Sequence, residues 1–212
     1  CIFIGNNAQT GGGTYDKFAT TIITDGKFIG NHAFLDANSG TGGAIKAVRG
    51  TNTLIRCEFF ANHAADGGAM FVSGQTVRVK ECAFAQNSAD VGGAIYVANQ
   101  SHVFVENSSI SNNRVTIAGG GLANLGSELA ASNCLLTGNR QSSPRIAGLG
   151  GGIYTWLQGA TSMTGCTIAH NFATYGNNIA MEDSLGTIEN CLISGVNARD
   201  SIYLGMSSLV VA

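Results

Sequence analysis

Residues 57–70 read CEFFANHAADGGAM, and residues 82–95 read CAFAQNSADVGGAI. Each stretch opens on a Cys, places Phe two residues on and Asn three further, and closes on a Gly-Gly-Ala tetrad. Self-similarity at a fixed period outranks any local reading of helix or strand. Working outward, Phe-x-x-Asn recurs at Phe3–Asn6, Phe28–Asn31, Phe59–Asn62 and Phe84–Asn87. It persists in weaker form at Ile110–Asn113, Leu136–Asn139 and Ile168–Asn171, while Ile193 is followed by Val196 where Asn is due. Two residues before each apolar position stand Cys1, Gly26, Cys57, Cys82, Ser108, Cys134, Cys166 and Cys191, so all six cysteines share one phase. The anchors are spaced 25, 31, 25, 26, 26, 32 and 25 residues apart. The two long spacings mark insertions near 36–41 and 140–149.

A second motif sits inside the unit: Gly42-Gly43-Ala44-Ile45, Gly67-Gly68-Ala69-Met70 and Gly92-Gly93-Ala94-Ile95, with looser copies at Gly119–Leu122, Gly150–Ile153 and Gly176–Ile179. A third apolar column runs Ile23, Leu54, Val79, Val105, Ala131, Met163 and Ile188. Around each column the period is two, as in Val77 and Val79 or Ile95 and Val97, which is strand periodicity. A helical solenoid needs longer stretches of 3.6 period, and a leucine-rich repeat needs a Leu spacing that is absent here. Three short strands per unit, stacked on themselves, predict an all-β solenoid. The expected form is a right-handed, single-stranded parallel β-helix of about eight coils, filling residues 1–212 as one domain.

Composition agrees with many tight turns. Of 212 residues, 30 are Gly and one is Pro; 11% are charged and 44% hydrophobic. A chain this apolar fills a core, which excludes intrinsic disorder. No apolar run approaches the ~18 residues that span a bilayer. A net charge of −2 with scattered Lys and Arg offers no footprint for nucleic acid or an anionic membrane. The chain opens at Cys1 without Met or signal peptide, so a processed form or a segment of a longer protein is expected. Cys1-Ile2-Phe3-Ile4 and Ser208–Ala212 are apolar strands without a charged or helical cap, and more chain or another copy is expected to cover them.

Stacking assigns a role to each column. The phenylalanines form an inner ring ladder that passes into Ile110, Leu136, Ile168 and Ile193. The asparagines form an internal amide ladder at a sharp turn, where Asn also tolerates a left-handed backbone. Paired glycines let backbone approach backbone. The cysteines are expected as a column of buried thiols, because residues stacked in one column point the same way. One or two strained bridges, such as Cys57–Cys82, and a metal site are the alternatives. Cys1 could also be a lipidated terminus, although it fits the repeat phase.

The union of GGA[ILVM] and FxxN in a unit of about 25 residues resembles the repeats of the chlamydial polymorphic outer-membrane proteins and related bacterial surface β-helix proteins. The well-formed tetrads lie in residues 1–95. The resemblance implies an extracellular or bacterial cell-surface location, an autotransporter passenger-like segment and an adhesive role. It supplies no catalytic residue.

The fold also hosts polysaccharide lyases and hydrolases, which need clustered carboxylates. Here the thirteen acids are spread thinly. The nearest to clusters are Asp66 with Asp90 and, more loosely, Glu81 with Glu106, read as solvated turn residues; Glu182-Asp183 is read as a turn as well. His32 and His63 should stack, but two His without a third ligand make a weak metal signal, and His170 lies elsewhere. No catalytic, metal or cofactor site is assigned, and no cofactor is expected.

The strongest surface feature is aromatic. The residue after each tetrad is Lys46, Phe71, Tyr96, Ala123, Tyr154, Ala180 and, one coil on, Tyr203, with Trp156 two beyond Tyr154. These are expected to face solvent, with Phe71, Tyr96, Tyr154, Trp156 and Tyr203 as the contact surface for a protein, a glycan or other copies of the chain. The alternative is that a loop such as 140–149 covers them. The expected function is a non-enzymatic surface or extracellular β-helix, structural or adhesive, that could build a filament or sheath. A polysaccharide lyase or hydrolase is the alternative.

Overall fold

The computed structural model describes residues 1–34, 40–143, 148–195 and 201–212. Every strand pairing in it is parallel and joins residues one repeat apart, so the sequence repeat is the structural coil. Three sheets of eight strands run the length of the rod. One coil reads Met70–Ser73 in the sheet that follows the glycine pairs, Thr76–Lys80 in a middle sheet, and Ala83–Ala85 in the sheet that carries Phe-x-x-Asn. We call these the GGA, middle and FxxN sheets. Among the described residues there is no helix. The expected insertions fall partly on residues 35–39 and 144–147, and Val196 on 196–200, all outside the described residues.

Register is set residue for residue. Ile45, Met70, Ile95, Leu122, Ile153, Ile179 and Ile202 form one inward column. The expected column from Ile23 to Ile188 forms another and ends on Val211. A slip of one residue would turn every such side chain to solvent, so the alternation locks the pairing. Phe3, Phe28, Phe59 and Phe84 stack face to face, with centroids 4.7, 4.8 and 4.5 Å apart and planes within 3°. One further tetrad, Gly11-Gly12-Gly13-Thr14, lies in the first coil, with Thr14 opposite Ile45. Its Thr hid it from an apolar pattern.

The asparagine ladder is buried and runs in one direction. Asn62 donates both its backbone N–H and its side-chain amide to Oδ1 of Asn87, each at 3.0 Å, and the same amide bonds the Phe28 carbonyl at 2.9 Å. Asn87 repeats this toward Asn113, and Asn113 toward Asn139. Each ladder step satisfies groups that would otherwise be buried without partners. The ladder asparagines are not the left-handed residues of the turn. That conformation belongs to the residue before each one: Ala61 (φ 53°), Gln86 (57°), Asn112 (54°) and His170 (57°). The corner therefore tolerates varied side chains, because they point outward, while the ladder position does not.

The second glycine of each pair is fixed by contact rather than by φ. A Cβ on Gly68 would strike the carbonyl oxygen of Gly93, and one on Gly93 that of Gly120. The first glycine is left-handed, at φ 65° for Gly67 and 66° for Gly92.

All six cysteines are free. The thiols form a second ladder: Cys57 N–H donates to Cys82 Sγ at 3.3 Å, Cys134 to Cys166 Sγ at 3.4 Å, and Cys166 to Cys191 Sγ at 3.3 Å. Ser108 continues the pattern, its Oγ accepting from Cys82 N–H at 3.0 Å and donating to the Glu106 carbonyl at 2.8 Å. The column is not buried throughout. Cys57, Cys82, Cys134 and Cys166 are buried, Cys191 is half-buried and Cys1 is exposed.

Candidate functional site

The outer face of the GGA sheet carries the expected column, extended by one residue. Tyr15, Lys46, Phe71, Tyr96, Ala123, Tyr154, Ala180 and Tyr203 stand in register. Strand alternation puts them outside, since their neighbours on either side fill the core. The column is a chain of ring contacts. Lys46 Nζ lies 5.4 Å from the Tyr15 ring and 5.8 Å from that of Phe71, between two aromatic faces. Phe71 meets Tyr96 edge-on at 5.4 Å. Tyr154 and Trp156 stack at 6.3 Å, and Tyr175 adds a ring 5.5 Å from Tyr203.

Exposure along the column is uneven, which corrects the expectation that all of it faces solvent. Phe71, Tyr96 and Tyr203 are half-buried and Trp156 is 41% exposed, whereas Tyr154 is 8% exposed and Ala123 and Ala180 are buried. Their cover comes from the residue that precedes each glycine pair. These residues bridge from coil to coil as Thr10, Thr41, Asp66, Val91, Ala118, Leu149 and Tyr175. The first three are polar and the last four are not. In the later coils this ridge folds onto the sheet, and Ala118, Tyr154 and Ala180 make a small second core with Leu149 and Tyr203. In the sequence this ridge shows only as the change from Asp66 to Val91 before the glycine pair, a single position outside the strand periodicity.

Tyr154 is pinned: its hydroxyl donates to Glu182 Oε2 at 2.7 Å. Burial and that bond push the hydroxyl well above the ordinary tyrosine range. Burial, helped by the Asp66 carboxylate, pushes Tyr96 to about 12. Neither ring ionises near neutral pH. Glu182 is the last residue of strand Ile179–Glu182 rather than a turn residue, while Asp183 (φ 46°) is the corner. Between Tyr96 and Tyr154 the short Ala123 side chain leaves a cavity of about 200 Å³.

The acids stay apart as ladder neighbours. Asp66 pairs with Val91, not Asp90, and Asp90 accepts a hydrogen bond from Thr116 Oγ1. Burial and then the Asp90 charge hold Asp66 above the usual carboxyl range. Glu106 lies opposite Lys80, which also approaches Glu81 at 3.7 Å. His32 and His63 are neighbours on adjacent coils, but their rings, 5.5 Å apart, are tilted by 55° rather than stacked as expected. His63 Nδ1 lies 2.9 Å from Ser88 Oγ, and burial and His32 hold its pKa below the ordinary value. Among the described residues, no three His, Cys, Asp or Glu side chains converge as metal ligands.

Parallel coils, ring and amide ladders and a decorated outer sheet define the class: a parallel β-helix. The chain belongs to the family described as right handed beta helix region, which it matches over residues 1–151. No curated protein matches the chain, and no solved structure does.

Proposed function

We propose that the protein is a non-enzymatic β-helix of a cell surface or the extracellular space, and that it works by contact through the aromatic outer face of its GGA sheet. The observation that carries this reading is the in-register outer column from Tyr15 to Tyr203, broken by alanines at Ala123 and Ala180, on which Tyr15 and Trp156 are exposed and Phe71 is half-buried. Flat, exposed rings on a rigid sheet suit a protein surface, a glycan or another copy of the chain, in a structural or adhesive role. The likeness of its repeat to the chlamydial polymorphic outer-membrane proteins supports a bacterial surface location. Side-by-side assembly into a filament or sheath would use the same face. Nucleic acid and membrane insertion form no part of this reading.

The test is a triple variant, Phe71→Ala, Tyr96→Ala and Trp156→Ala, which should keep its far-UV spectrum and melting behaviour. Attachment to cells, glycan arrays or its own copies should be lost. Attachment at the parental level would sink the reading.

A second reading, a polysaccharide lyase or hydrolase, draws on the raised Asp66 carboxyl close to Asp90, since acid–base pairs often hold one proton more tightly. Incubation with pectins, alginates and other acidic glycans decides it. Reducing ends or unsaturated products that vanish in Asp66→Asn/Asp90→Asn would replace the first reading.

A further inference from the structure

The aromatic column contains its own internal precedent. Where two rings stand two coils apart, as Tyr15 and Phe71 do, the position between them is filled by the Lys46 ammonium. Tyr96 and Tyr154 also stand two coils apart, but the residue between them is Ala123, whose single methyl group is far shorter than the Lys46 side chain. The result is the cavity of about 200 Å³, walled by Tyr96, Tyr154, Trp156, Ile117, Leu125 and Leu149. It opens to the surface, since Ile117 and Trp156 are each 41% exposed.

We propose that this cavity binds a methylated ammonium ion, held by the rings of Tyr96, Tyr154 and Trp156. Three aromatic side chains around one small space form a cage whose π-electrons attract a cation. The aliphatic walls suit methyl groups, which a compact and strongly hydrated ammonium lacks. No Lys or Arg lines the cavity. A carboxylate stands at its margin instead: Glu182 lies opposite Trp156 in register and holds the Tyr154 hydroxyl. The volume exceeds the ~150 Å³ of an apolar cavity that accepts benzene, and a tetramethylammonium-sized group is of similar bulk. Hydrogen-bonding lining is scarce, which disfavours a sugar ring here. The inference is independent of the attachment reading, because an ion bound in solution needs no surface.

Choline and its uncharged isostere 3,3-dimethylbutan-1-ol separate charge from shape. Trp156 is the only tryptophan of the chain, so its fluorescence reports the cage directly. Choline should shift that emission saturably, and the neutral isostere should bind about tenfold more weakly. Ala123→Tyr, which fills the gap as Phe71 and Tyr96 fill theirs, should abolish the response. If that variant does not fold, Trp156→Leu should weaken choline binding at least about fivefold, read by broadening of the choline methyl resonance. Equal affinity for the two compounds would show a purely apolar pocket and overturn the proposal. So would the absence of saturation, or full binding by a folded Ala123→Tyr.

Discussion

The side-chain amide of Asn171 donates to Oδ1 of Asn178 at 2.9 Å, only seven residues along the chain. Every earlier ladder amide from Asn6 to Asn139 finds its asparagine acceptor at the ladder position of the next coil. Val196 stands at the next ladder position in the sequence, so the glycine-pair copy at Gly176-Asn177-Asn178-Ile179 supplies the amide instead. Asn178 then passes its own amide to the Ser194 carbonyl at 3.0 Å and to Ser201 Oγ at 2.8 Å. What reads as decay of one motif in the sequence is repair of the other.

Asn87→Leu should destabilise the rod by about 2–4 kcal/mol, because Asn62 loses the acceptor for two buried donors, while the Phe59 carbonyl and Oδ1 of Asn113 each lose the side-chain amide. Asn178→Ala should cost less, about 1–3 kcal/mol, since fewer groups are stranded. Urea titration gives both values. A parental midpoint for Asn87→Leu would contradict the buried ladder.

Gly93→Ala should be severe for a single methyl group, about 3 kcal/mol or more, because backbone rather than a pliable side chain blocks the new Cβ. Ala94→Gly, at the next residue, leaves a void instead and should cost about 1 kcal/mol. Thermal melts that reverse this order would refute the contact argument.

The thiols should titrate in classes. With reductant removed, Cys1 should react at once with a thiol reagent and Cys191 more slowly, while Cys57, Cys82, Cys134 and Cys166 wait for denaturant. The Cys57 thiol and burial push Cys82 well above the ordinary thiol range, and Cys134 and burial do the same to Cys166, so thiolate is scarce there. Peptide mapping of the label gives the order, and early labelling of Cys82 would show that the coils part more easily than this packing implies.

Asp66 should make stability depend on acid pH. Burial and the Asp90 carboxylate raise its folded-state pKa above the ordinary value of 3.8, so the folded chain holds that proton more tightly than the unfolded one. The penalty is full at neutral pH and is relieved as pH falls through the raised value toward 3.8. Asp66→Asn should therefore melt higher than the parent at pH 7, and the difference should close by about pH 3. A constant difference across that range would assign the effect to something other than ionisation.

The coil, the three strands and the inward columns were legible in the sequence, because a solenoid repeats its neighbours and so writes its contacts as a period. Phe59 over Phe84 and Leu54 beside Val79 needed no tertiary insight. The outer face was read in order but not in depth. Strand alternation tells that Tyr154 points outward, yet not that Leu149 and Ala118 lie against it, because the ridge is built at a bulged end of two short strands and at isolated bridges, where a period of two breaks down. The cage was illegible for the same reason. Ala123 is an unremarkable alanine until Tyr96 and Tyr154 are seen to flank it.

Backbone hydrogen bonds between coils, such as His63 N–H to the Asn31 carbonyl and Ser88 N–H to the Asn62 carbonyl, all lie along the rod axis. This arrangement governs the response to force. Tension applied between the two ends of the rod would concentrate on one coil–coil boundary at a time and peel the terminal turn before loading the next. Each rupture would pay out about 25 residues, roughly 85 Å of slack at full extension. Under load the protein would lengthen in discrete, repeated steps, each dissipating work while the remaining coils keep their shape.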